Sequence, residues 1–202
     1  MKEFLIKQGI YLPIVYFGTV IIAGFFATDY THIGQHASEL GINDNQTAVI
    51  IFNVGAFITG VSMIFYGIGL ILKFRGHFSI TSILTILFGI TFLFGACYKI
   101  GSPWHSLYGL GISIVMLPFV FLYEVKSYQL DRLTKLISII SAIFIFIYIW
   151  AMVVKLDRME QRGLTQRLFG IFTFGFISYS AYVTGKITID DELPISSENL
   201  IG

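Results

Sequence analysis

Residues Ala48–Leu72 read AVIIFNVGAFITGVSMIFYGIGLIL, twenty-five positions without one Lys, Arg, Asp or Glu. A membrane-spanning helix needs about 20 mostly apolar residues, and this run exceeds that length. Hydrocarbon offers the backbone no hydrogen-bond partner, so each crossing segment must close its bonds internally as a helix or within a closed barrel. Barrel strands alternate apolar and polar residues over about ten positions, whereas this stretch is apolar throughout. A transmembrane helix is therefore expected here. Gly55, Gly60, Gly67 and Gly69 give it surfaces on which neighbours can pack closely.

The same reading applied outward finds five more windows: Gly9–Ala27, Phe78–Tyr98, Ser106–Tyr123, Leu136–Val154 and Leu168–Gly185. Each is bounded by charges, Gly or Pro, and Pro118 is expected to kink the fourth span. Lys2 and Lys7 precede the first window as in a secretory signal. That window is too long and lacks a small-x-small cleavage site, so a retained helix is expected. The chain has 202 residues, 55% of them hydrophobic and 12% charged, with a mean hydropathy of +0.80. That is more apolar surface than a soluble fold of this length buries. The fold expected is an all-α, polytopic membrane bundle of about six helices over residues 1–186, followed by a short acidic tail, 187–202. The net charge of +1 gives no field suited to nucleic acid, and the lone Cys97 allows no intrachain disulfide. The partners expected are membrane lipids, with oligomerisation left open.

Orientation follows from the basic residues. With six spans, Lys2, Lys7, Lys73, Arg75, Lys126, Arg132, Lys135 and Lys186 fall on one side. Lys99, Lys155, Arg158, Arg162 and Arg167 fall on the other. Both termini are thus expected in the cytoplasm of a bacterial cell, with the protein in its plasma (inner) membrane. The loop before the last span carries four of the five outward cations. The first outward loop, Thr28 to Thr47, has no cation but contains Asp29, Glu39 and Asp44. The two loops are expected to attract each other across the mouth of the bundle.

Within the first loop, a helix ending at Gly41 would place Asp29, His32, His36 and Glu39 on one face. Two histidines one turn apart can ligate one ion, with His105 on the same side as a third ligand, so zinc or another divalent metal is a candidate cofactor. Glu39 would then move the proton, with Ser38 beside it as a second catalytic candidate. In the other reading the pocket recognises a polar or anionic group such as a lipid headgroup. Arg162 and Arg167 hold the anion, Glu39 and Ser38 orient it, and Gln166 and Asn53 complete the contacts. A salt bridge that merely pins the loops is the simpler role for the two arginines. Asn43 or Asp44 is expected to cap the second helix, and Trp104 and Trp150 to anchor at the interface. Asn45-Gln46-Thr47 matches a glycosylation acceptor without further support.

Tyr30-Thr31-His32, Ser38-Glu39-Leu40-Gly41, Asn53, Gly55, Gly163-Leu164 and Gln166-Arg167 together resemble the domain of unknown function 998 family of six-helix bacterial and archaeal membrane proteins. That resemblance implies the six-helix architecture and no established chemistry. A remoter similarity is to membrane hydrolases of the alkaline ceramidase and adiponectin-receptor type, which use Ser, Asp and three His around zinc. Ser38, Asp29, His32, His36 and His105 are the matching residue types. The chain departs from that pattern in having six spans and in clustering the candidates in one loop.

Overall fold

In the computed structural model, residues 1–128, 131–154, 156 and 160–188 are described, and among them the chain is helical without a strand. Five helical stretches are long and apolar enough to cross a membrane: Gln46–Phe74, Ser79–Cys97, Leu107–Tyr128, Arg132–Val153 and Arg162–Lys186. A further pair, α1 (Lys2–Ile10) and α2 (Leu12–Phe26), bent by 46° at the break, passes the same length and hydropathy test when the two helices are taken together, which brings the candidate spans to five or six. Pro13 occupies the first turn of α2, where its missing N–H leaves no helical bond unmade, so the chain restarts there instead of continuing straight. The first span therefore begins earlier than its hydropathy suggests. The outward surface is lined with Ile14, Phe25, Ile50, Val54, Ile143 and Phe146, as expected where lipid is the solvent. The chain is a multi-pass membrane protein.

Helix α3 (Gln46–Phe74) is the central post. Its glycines admit neighbours to backbone range: a Cβ at Gly55 would lie 2.1 Å from Thr19 of α2. One at Gly60 would lie 2.7 Å from the Gly89 carbonyl of α4 (Ser79–Cys97). Asn45 caps α3 by accepting from Thr47 N at 2.9 Å, which corrects the expectation of Asn43 or Asp44. Asn43 instead exchanges two hydrogen bonds with the Thr28 backbone and holds the base of the first loop closed.

The fourth crossing departs most from expectation. A 3-10 stretch, Leu107–Met116, enters through left-handed residues Leu107, Tyr108 and Gly109, and only then does α5 (Leu117–Val125) begin. Pro118 lies in the first turn of α5, so it starts a helix rather than kinking one. Glu124 accepts from the backbone N–H groups of Ile80 and Thr81 at 2.9 and 3.1 Å, satisfying the start of α4 from a different helix.

Helices α6 (Arg132–Val153) and α7 (Arg162–Lys186) close the bundle. Tyr66 pairs with Ser180 at 2.9 Å across α3 and α7, and Thr134 with Tyr179 at 2.8 Å across α6 and α7. Buried hydroxyls such as Thr59, Thr85 and Thr184 bond back to carbonyls of their own helices. Lys73 donates to the carbonyls of Thr184 and Gly185 at 3.0 and 3.2 Å and pairs with Glu3 at 2.8 Å. The start of α1 and the end of α7 thus share one end of the bundle, opposite the first loop. The expected acidic tail lies, from residue 189 onward, outside the described residues.

Candidate functional site

The first loop does not form the expected helix. Residues 31–35 make a turn in which Thr31 N donates to Gln35 Oε1 at 2.7 Å and Gln35 N to Thr31 O at 3.1 Å. Asp29 adopts a left-handed conformation, and a short 3-10 helix, Ala37–Ile42, follows. Without a continuous helix, Asp29, His32, His36 and Glu39 no longer share a stripe. The reason is a competing set of partners far away in the chain.

Those partners are in the first turn of α7. Gly163 lets it lie directly on the loop: a Cβ there would sit 2.3 Å from the Gln35 carbonyl and 2.7 Å from that of His32. Leu164 N donates to Ile33 O at 2.9 Å, and Ala37 N to Gln166 Oε1 at 2.7 Å. Arg162 reaches the Glu39 carboxylate with Nη2 at 2.9 Å and the Gly34 carbonyl with Nε at 3.1 Å. Arg167 Nη1 donates to the carbonyls of Gln35 and Gly163 at 2.9 and 2.7 Å, and its Nη2 donates to the Tyr30 hydroxyl. Glu39 also accepts from His36 N at 2.9 Å. Charge attraction between the first and fifth loops is thus realised through Glu39 and Arg162. Lys155, Asp157 and Arg158 of the fifth loop lie outside the described residues.

Most donors of the two arginines are spent on the protein itself, so their geometry is that of a clamp. Arg167 Nε is the exception: it is buried with no acceptor among the described residues. The Arg162–Glu39 pair is partly shielded, and hydrogen bonds to charged groups contribute about 1.5–3 kcal/mol each in such settings.

The histidines separate. His32 packs its ring over Gly24, where a Cβ would meet Nε2 at 2.5 Å, and turns Nδ1 toward Arg167. Burial first, and the Arg167 charge second, hold its pKa below the ordinary histidine value. Burial also raises the Tyr30 phenol, against the opposing pull of Arg167. His36 begins the 3-10 helix, and His105 Nδ1 lies 2.7 Å from the Tyr98 carbonyl on the far side of the mouth. Among the described residues, no three His, Cys, Asp or Glu are grouped to hold a metal ion.

A folded pKa below the unfolded one means that the unfolded chain takes up the proton first. The resulting loss of stability sets in as pH falls through about 6.5 and is absent above it. Titrated by NMR on ring-labelled protein, His32 is expected to show a midpoint below 6.5, moving upward in Arg167→Gln. A midpoint at or above 6.5 would contradict the packing against Gly24.

Beneath the clamp are two adjoining cavities. A chamber of about 420 Å³ runs into the bundle between aromatic walls that include Tyr16, Phe52, Phe88, Phe92 and Phe169, with Ala37 and Gln166 at its roof. A vestibule of about 540 Å³ is lined by Asn43, Gln46, Asn53, Lys99 and the turn at Gly41. Ser38, Gly95 and His105 line both. The structure therefore brings Ser38, Asn53, His105 and Gln166 to the cavities, and Glu39, Arg162 and Arg167 to the clamp over them. Sequence reasoning missed the chamber, because its aromatic residues are indistinguishable by composition from lipid-facing ones. It also missed Lys99, the cation that lines the vestibule.

A family model described as a protein of unknown function (DUF998) matches residues 11–182. No curated protein matches the chain, and no solved structure does.

Proposed function

The chain belongs to the DUF998 family, and from the cavity geometry we propose that it binds a membrane amphiphile, recognising its polar or anionic headgroup in the vestibule while a chain enters the chamber. The observation that carries this is the adjacency of a polar cavity and an aromatic one, whose linings share Ser38, Gly95 and His105. Both volumes fall in the range of small-molecule sites, which are concave and mostly apolar with a few placed polar groups. Asn53, Gln46, Ser38 and His105 supply those groups, and Lys99 supplies a charge for an anionic head. Arg162 and Arg167 act one step removed, by seating the loop that carries Ser38. In a bilayer an acyl chain gains little by exchanging lipid for protein contacts, so headgroup bonding sets selectivity and the chamber sets which chains fit. The excess of Lys and Arg at the opposite end supports a bacterial plasma membrane setting with the cavities facing outward.

The metal-dependent hydrolase or transferase reading needs His32, His36 and His105 to converge, and their separate packing gives that reading no support. Photolabelling tests the binding site: a phospholipid carrying a diazirine in its acyl chain is expected to label Phe92, Ile149 or Phe169, with unlabelled lipid competing. Labelling confined to outward residues such as Ile14 and Phe25 would sink the proposal.

A further inference from the structure

A second groove lies at the opposite end of the bundle, on its lipid-facing side. It has a volume of about 560 Å³ and is lined by Phe119, Leu122, Tyr123 and Lys126 on the α5 side and by Lys135 on α6. Tyr123 and Phe119 are among the more exposed large side chains of the bundle, and both lysines are exposed. The carboxylates nearest to them in the chain are engaged elsewhere. Glu124 accepts from the N–H groups of Ile80 and Thr81, and Asp131 accepts from Thr134 N at 2.7 Å. No carboxylate among the described residues pairs with either lysine.

We propose that this groove is a site for one anionic phospholipid, its phosphate held between Lys126 and Lys135 and its chain lying along Phe119, Leu122 and Tyr123. Two cations from different helices meet at one end of an apolar groove, so the site presents charge and hydrocarbon in the order that a phospholipid does. Long lysine stems can lie along the apolar wall while the ammonium groups reach headgroup level. The tyrosine ring suits the same depth. Basic pockets between helices near a membrane surface bind anionic headgroups by this logic, and each lysine strengthens the contact.

The test is titration of delipidated, detergent-purified protein with phosphatidylglycerol and with phosphatidylcholine, read by native mass spectrometry. Wild type is expected to take up phosphatidylglycerol in preference. Lys126→Gln/Lys135→Gln is expected to lose roughly 30-fold in affinity for it, the combined contribution of two such lysines, while phosphatidylcholine uptake stays the same. Lys2→Gln/Lys7→Gln, with an equal change of charge at the same end of the bundle, should keep the preference. Lys126→Arg/Lys135→Arg should keep it too, which separates charge from misfolding. Equal loss in both glutamine pairs, no preference in wild type, or displacement of the lipid by inorganic phosphate at comparable concentration would each overturn the assignment.

Discussion

Replacing Gly163 by Ala is expected to destabilise the protein by about 2–3 kcal/mol, the usual scale for forcing an extra carbon into a packed contact. Two effects oppose each other. Ala is favoured over Gly by about 1 kcal/mol in a helix interior, an upper bound for this first-turn position, and the new methyl would stand 2.3 Å from the Gln35 carbonyl oxygen and 2.8 Å from its backbone nitrogen. Both are backbone atoms of a loop already tied down by Arg162, Arg167 and Leu164, so the collision outweighs the gain. The loop must lift, and the bond from Ala37 N to Gln166 is stretched with it. Gly175 is the internal control, because a Cβ there meets nothing within 4 Å on the same helix. Thermal unfolding in detergent should show Gly163→Ala lowered by roughly 5–10 °C and Gly175→Ala unchanged or slightly raised. Equal behaviour of the two would mean that α7 does not rest on the first loop.

That contact also shows where the sequence was readable. Hydropathy places the crossings, because runs such as Ala48–Leu72 have no other stable environment. The grouping of Glu39, Gln166 and Arg167 at one mouth follows from counting spans. The internal shape of the first loop does not. A spacing of three and four residues between Asp29, His32, His36 and Glu39 suits a helix only if local bonds decide the matter. Here Gly34 and Gln35 give their carbonyls to arginines more than 120 positions later, and His32 settles over Gly24. Likewise, Pro118 signals a break, but only packing reveals that the break falls between a 3-10 stretch and α5. Lys73 reads as a loop cation, yet it closes the far end of α7 through two carbonyls.

The 3-10 stretch bears on function because its glycines border the chamber. Gly111 lines the cavity, and a Cβ added to it would meet Thr91 of α4 at an ordinary 3.6 Å. Its φ lies outside the left-handed region, in contrast to Gly109, so a larger residue is accommodated without backbone strain. A phenylalanine at 111 therefore projects into space that an amphiphile's chain would occupy, while the vestibule and the clamp stay as they are.

The direct measurement is equilibrium binding of the diazirine-bearing phospholipid to delipidated wild type and Gly111→Phe, with helicity and monodispersity checked for both. Saturable binding near one lipid per chamber, weakened at least about tenfold or 1.4 kcal/mol in Gly111→Phe, is the result predicted. Indistinguishable binding by two equally folded proteins would contradict the assignment of the chamber as the site that takes the amphiphile's chain.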